Sequence, residues 1–402
     1  MSSGSQPTSG SKVITPNAGG QFTYTISCAG AGGTNQQSVK LIVPIPVQRT
    51  SYLNFKYLNI PTQKMPVGLG FRSNEEITAG HSYGDFFQDG TIAMVAFSNV
   101  FAGANGYGSL VPGRVYFFHT DGNGGWVDQT QKLIFDRTGC ISPRKVIVAD
   151  FNGDEKPDIF VACHGIDGEI PAGSQQGEHP RYLLSNLDGT YKNVELPLVC
   201  YCHGAAAVDF DGTGFADIVV ASPPVLNRMA YLKNKRDGTF LDSPILIPQS
   251  TNNKSIWSLD FVDINNDGAY DLAVYGSENN NGWNADPKLI GLTTPGTAPF
   301  DWQPTIFLND GSNQFSDKNK LVKLPFTANG DVLDIIVKDS KIAVLRAANN
   351  INNKLIIQLY AYPSITLLST TLVPNMDTVW FRLYNRSEER RVGKECLRLC
   401  RS

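Results

Sequence analysis

Short runs of β-branched and aromatic residues, broken by Gly, Asn and Asp, recur along most of the chain, and no long stretch holds the three-to-four-residue spacing of an amphipathic helix. This pattern predicts an all-β protein. Its clearest instance is VIVADFNGDEKPDIFVACHG (146–165), two apolar strands joined by a turn that carries three Asp and one Asn within nine positions. The same arrangement returns as AVDFDGTGFADIVVAS (207–222) and FVDINNDGAYDLAVYG (261–276), with a worn copy at YGDFFQDGTIAMVAFS (83–98). The opening aspartates, Asp85, Asp150, Asp209 and Asp263, are 65, 59 and 54 residues apart, a loose period.

A second hairpin follows each copy: VYFFHTDGNGGWVD (115–128), YLLSNLDGTYKNV (182–194), AYLKNKRDGTFLD (230–242) and IFLNDGSNQFSD (306–317). Each is an apolar strand, a Gly-bearing turn and an aromatic-led strand. Two hairpins per repeat make a four-stranded unit, and such units arranged radially are the blades of a β-propeller, which leaves few exposed strand edges. A fifth, eroded unit runs through DIIVKDSKIAVLRA (334–347) and LIIQLYAYPSITLL (355–368), its acidic turn reduced to KDSK.

The acidic turns carry the candidate chemistry. Asp150, Asn152, Asp154 and Asp158 stand at positions 1, 3, 5 and 9, and the backbone carbonyl of Lys156 stands at position 7. A chain curling around a point aims these hard oxygens at a common centre, which suits Ca²⁺ and its flexible geometry. The corresponding sets are Asp209, Asp211, Thr213, Phe215 and Asp217, then Asp263, Asn265, Asp267, Ala269 and Asp271. An EF-hand shares the opening spacing but needs a flanking helix and a Glu at position 12, where Val161, Val220 and Val274 lie within strands. An Asx-rich turn without an ion is the other reading of the same residues. The first copy keeps Asp85 and Asp89 but has Phe87 at position 3 and Ala93 at position 9, so it is expected to hold no ion.

DFNGDEKPDIFVA, DFDGTGFADIVVA and DINNDGAYDLAVY resemble the FG-GAP or VCBS repeats of integrin-α-like β-propellers, common in secreted bacterial proteins. The resemblance implies calcium loops joining the first and second strands of each blade on one face, with partners docking on the other. It also implies six to eight blades, so five traceable units point to an incomplete ring. The propeller is expected over 48–385. Before it, residues 1–47 combine a Ser/Gly-rich segment with FTYTISCAGAGGTNQQSVKLIVPIPV (22–47), which resembles the closing strands of a bacterial immunoglobulin-like sandwich. Met1 then reads as an internal methionine of a longer gene, with any signal sequence lost by truncation. At the other end RSEERRVGKEC (386–396) matches the translation of a sequencing-adapter oligonucleotide, so 386–402 is set aside.

Composition narrows the partners. With 34 Lys and Arg against 37 Asp and Glu, the chain has no basic footprint for nucleic acid, and no apolar run reaches the roughly 18 to 20 residues of a membrane span. Outside the discounted tail and Cys28, four cysteines remain: Cys140, Cys163, Cys200 and Cys202. An even number in an exported chain favours two disulfides, expected as Cys163 with Cys200 and Cys140 with Cys202. His164 and His203 follow two of these cysteines, so a thiolate and imidazole zinc site and free thiols remain open. The long loops bear Tyr107, Trp283 and Trp302 among polar residues, suited to stacking on a sugar or anchoring a protein, although aromatics in such loops also cap blades. No nucleophile elbow, HExxH or phosphate loop occurs, and Glu178 beside His179 is a loop pair. The expected function is a secreted or cell-surface calcium-binding propeller that recognises a glycan or protein ligand. The alternative is a polysaccharide lyase or hydrolase using loop carboxylates such as Asp167, Glu169 and Glu278. Oligomeric state is not legible here.

Overall fold

The computed structural model describes residues 20–30, 33–43, 57–58, 75–76, 80–100, 111–121, 125–165, 177–210, 213–221, 228–243, 247–252, 254, 256–276, 302–325, 330–338, 340–348, 354–372, 381–382 and 399–401. The chain divides into two compact units, Met1–Tyr52 and Leu53–Ser402. Within the first, Gly20–Gly30 and Gly33–Val43 form an antiparallel hairpin in unbroken register. This hairpin by itself does not show an immunoglobulin-like sandwich.

In the second unit five four-stranded antiparallel sheets stand as the blades of a propeller. The first blade is His81–Gly84, Ala93–Phe97, Val115–Thr120 and Trp126–Asp128. The second is Pro143–Ala149, Asp158–Cys163, Arg181–Ser185 and Tyr191–Glu195. The third is Gly204–Val208, Asp217–Ala221, Ala230–Asn234 and Phe240–Asp242. The fourth is Ile256–Val262, Asp271–Gly276, Thr305–Phe307 and Leu321–Lys323. The eroded fifth repeat is also a complete sheet: Gly330–Lys338, Lys341–Ala348, Lys354–Ala361 and Thr366–Leu372. Two small sheets accompany them, Glu75–Glu76 with Asn99–Val100, and Tyr57–Leu58 with Phe381–Arg382 and Leu399–Arg401.

Every blade is a meander, and from the first blade to the fifth each first strand packs against the first strand of its neighbour. Burial follows this order. The second strands of the first, second and fourth blades are buried throughout, whereas the outer strand of the fifth is exposed throughout. Apolar side chains on both faces of a sheet fill the gaps to its neighbours: Phe86, Phe97 and Phe117 meet Val146 and Ile159, and Val219 and Tyr231 meet Leu259 and Phe261. One expected strand is displaced. In the fourth blade the outer strand begins at Leu321, not at the predicted Phe315, because Phe315 is buried beside Phe210 and Phe261 and serves as a core plug.

The disulfides correct the sequence expectation. The pairs are Cys140–Cys163 and Cys200–Cys202, not Cys163–Cys200 and Cys140–Cys202. The backbones do approach as expected, with Cys202 N–H donating to the Cys163 carbonyl at 3.2 Å and the Cys200 sulfur 3.9 Å from that oxygen. The side chains, however, lie on opposite faces of the second blade. Cys140 and Cys163 belong to the core shared with the first blade, and Cys200 and Cys202 to the core shared with the third.

Candidate metal centre

The acidic turn of the second blade joins Pro143–Ala149 to Asp158–Cys163, and two features fix its path. Phe151, at position 2, is fully buried against Phe240 of the third blade, which pins the turn to its neighbour. Gly153, at position 4, has φ 78°, and a Cβ there would lie 2.5 Å from Cζ of Phe215 in the third-blade loop. Only glycine meets both demands.

Around that path the side chains close inward. Asp150 accepts from the N–H groups of Asn152, Gly153 and Glu155, and Asn152 Oδ1 accepts from Asp154 N–H. Asp154 Oδ1 accepts from Lys156 N–H, while the Lys156 ammonium leaves the turn to reach the Asn186 carbonyl at 3.0 Å. Asp158, fully buried at the start of its strand, accepts from Phe151 and Asn152 N–H on one oxygen and from Ser185 N–H on the other. Burial pushes the Asp158 carboxyl up to about 7, with the Asp150 charge adding to the rise and the donated hydrogen bonds opposing it. Burial also raises Asp150, and the charge on Asp154 adds to it.

The fourth-blade turn repeats the design. Asp263 accepts from Asp267 and Gly268 N–H, Asn265 both accepts from and donates to Asp267, and Asp267 accepts from Ala269 N–H. Asp271 accepts from Ile264 and Asn309 N–H, and burial followed by the charges on Asp267 and Asp263 lifts it to about 6. In the third blade Asp209 accepts from Thr213 and Gly214 N–H, and Asp217 from Asn234 N–H and the Tyr231 hydroxyl. Asp211 lies outside the described residues. These donor sets consist of hard oxygens, with Asp158 and Asp271 buried at position 9, a chemistry that fits a hard dication.

The first-blade turn is built differently. Asp85 accepts from Asp89 and Gly90 N–H, while Asp89 pairs with His119 Nε2 at 2.8 Å. The hydrogen bond to the Thr120 carbonyl raises the imidazole pKa, burial opposes this, and Asp89 adds to it. An imidazole thus meets the position-5 carboxylate of a turn whose positions 3 and 9 carry no ligand oxygen.

The expectation missed the contribution of the third strands. Ser185, Asn234 and Asn309 each donate a backbone N–H to the position-9 aspartate of their own blade. Their shared signal is a Ser or Asn at the end of the apolar third strand, just before the Gly-bearing turn, in LLSNLDG, YLKNKRDG and IFLNDG.

The opposite ends of the strands hold the cysteines. Glu178 accepts from Ile141, Ser142 and Gly165 N–H, and its carboxylate lies within 4.8 Å of the Cys140 and Cys163 sulfurs. The imidazoles of His164 and His203 meet edge to face at 4.3 Å between ring centroids but do not join that group, and the paired sulfurs offer no thiolate for the zinc reading. Trp302 is buried and donates its indole N–H to the Val274 carbonyl at 2.9 Å, so it caps the fourth blade and is not free to stack on a ligand. Tyr107, Trp283, Asp167, Glu169 and Glu278 lie outside the described residues.

A family model described as FG-GAP-like repeat matches residues 85–161 and 176–274, from the first-blade turn through the second strand of the fourth blade. A solved structure titled as an exotype rhamnogalacturonan lyase, YesX, is 13% identical over 88% of this chain and 74% of that one, with a TM-score of 0.34. A likeness of that size carries no argument about activity. No curated protein matches the chain.

Proposed function

From a chain that carries FG-GAP-like repeats and folds them as a five-bladed β-propeller, we propose a calcium-stabilised recognition protein that acts outside the cell or at its surface. The carrying observation is the second-blade turn, where Asp150, Asn152, Asp154 and the fully buried Asp158 crowd hard oxygens with no cationic side chain among them. Asp150, Asn152, Asp154 and Asp158 with the Lys156 carbonyl would hold one Ca²⁺, and Asp263, Asn265, Asp267 and Asp271 with the Ala269 carbonyl another. Asp209, Asp211, Thr213 and Asp217 with the Phe215 carbonyl form the third set. The bound ion neutralises carboxylates that otherwise repel, and so ties the first two strands of each blade together.

Two disulfides support an oxidising compartment, and among the described residues no helix is long and apolar enough to cross a membrane. Recognition of a glycan or protein is assigned to the face away from the cation turns, where the connections between second and third strands run. Calcium removal followed by melting tests the reading. An ion bound only to the folded state at a hundred times its Kd adds about 2.7 kcal/mol per site, so chelation should lower the Tm by several degrees and calcium should restore it. Unchanged melting and protease resistance, with no calcium in elemental analysis, would overturn it. A glycan array with product analysis then separates binding from turnover.

A further inference from the structure

We propose that the hydroxyl of Ser185, on the third strand of the second blade, is an oxygen ligand of the cation in that blade's turn and makes it the tightest of the protein's cation sites. This rests on the calcium reading above. Ser185 Oγ lies 2.8 Å from Asp158 Oδ1 and 2.9 and 3.1 Å from the two oxygens of Asp154. A hydroxyl carries one proton, so it cannot donate a full hydrogen bond to three carboxylate oxygens at once. Once Asp154 and Asp158 are both ionised, the remaining contacts bring lone pairs together in a site where Ser185 is only 5% exposed.

A shared cation turns those contacts from a cost into a coordination shell. Neighbouring oxygens in the plane of a pentagonal bipyramid, each 2.3 to 2.6 Å from Ca²⁺, are about 2.7 to 3.1 Å apart. An oxygen in that plane has two neighbours, and the Ser185 contacts to Asp158 Oδ1 and to the nearer Asp154 oxygen fall in that range. The backbone of the same strand is tied to the same turn, since Asn152 Nδ2 donates to the Ser185 carbonyl at 3.1 Å and the Lys156 ammonium to the Asn186 carbonyl. The hydroxyl is therefore held in place before any ion arrives.

The other blades do not repeat this. Asn234 sends its side-chain amide to the Phe151 and Ala216 carbonyls, and Asn309 sends its own to the Tyr270 carbonyl and Asn313 Oδ1. Both approach their turns through the backbone. In the first blade the third strand also reaches the position-5 carboxylate, but with the imidazole of His119. The third strand thus brings an oxygen to the turn with a complete ligand set and an imidazole to the turn that has lost positions 3 and 9 of its set.

Calcium titration of the full chain, metal-stripped beforehand and followed by calorimetry, tests the assignment with Ser185→Thr and Ser185→Val. These replacements have the same shape and differ in the hydroxyl. Ser185→Thr should keep the tightest class of site, whereas Ser185→Val should weaken that class about tenfold or more, a change of about 1.4 kcal/mol, and leave the weaker class unmoved. A Val variant with the wild-type isotherm, or Thr and Val variants equally impaired, would overturn the Ser185 assignment while leaving the calcium reading intact. Wild-type protein that binds no calcium would overturn both.

Discussion

Asp158 shows how one side chain links stability to solution conditions. Its folded-state carboxyl titrates at about 7 and that of Asp271 at about 6, both because burial penalises the charge, with neighbouring aspartates adding to it. An unfolded chain releases these protons near pH 4. The folded state therefore holds more protons between about pH 4 and 7, and stability falls as pH rises through that window. In calcium-free buffer the protein is expected to lose on the order of 2 to 4 kcal/mol between pH 5 and 8. Saturating calcium should flatten the slope, because the ion replaces the proton as the neutralising charge. Melting curves at both pH values, with and without calcium, measure this; equal slopes in the two series would count against it.

At the scale of elements, the two disulfides should not contribute equally. Cys140–Cys163 closes a span of 23 residues and joins the approach to an inner strand to the end of the adjacent strand. The chain-entropy model gives such a loop about 3 kcal/mol. Cys200–Cys202 spans two residues and constrains the unfolded chain far less, by about 1.5 kcal/mol on the same scale. Replacing Cys140 and Cys163 together by Ala should lower the denaturant midpoint more than the same change at Cys200 and Cys202, and equal losses would contradict the loop-length account. The hairpins themselves were legible, since apolar runs around Asp- and Gly-bearing turns specify strand, turn and strand locally. The outer strand of the fourth blade was not, because an isolated Phe such as Phe315 gives no sign whether it leads a strand or plugs a core.

At the scale of the molecule, a contact among the described residues spans non-adjacent blades. Lys145, on the inner strand of the second blade, donates to the Leu259 carbonyl at 3.1 Å and to Asp260 Oδ2 at 3.3 Å on the inner strand of the fourth. The third blade between them presents Gly204, Ala205 and Ala206 on its inner strand, with little side-chain bulk to block the lysine. Tyr275 extends the network to the fifth blade by donating to Asp334 at 2.7 Å. Lys145→Met keeps the length of the stem but removes the charge and the donors, leaving a carboxylate and a carbonyl to find other partners. It should destabilise the protein by about 1 to 3 kcal/mol, read as a lower denaturant midpoint. A midpoint unchanged in Lys145→Met would mean that the contact between the second and fourth blades adds nothing to stability.

The sequence by itself determined the all-β class, the four-stranded repeat and the spacing of the ligand positions, because each depends on residues that are neighbours along the chain. Positions 1, 3, 5 and 9 of a turn converge wherever the turn forms, so Asp150, Asn152, Asp154 and Asp158 were visible without coordinates. Tertiary structure decided what depends on distant segments meeting. The sequence shows Cys140, Cys163, Cys200 and Cys202 but not that the second blade separates them into two pairs. It shows Ser185 as an ordinary polar residue at a strand end, and Lys145 as one lysine among many. Their partners lie 27 to 31 and 114 to 115 residues away, and only the packing of strands and blades brings them into reach.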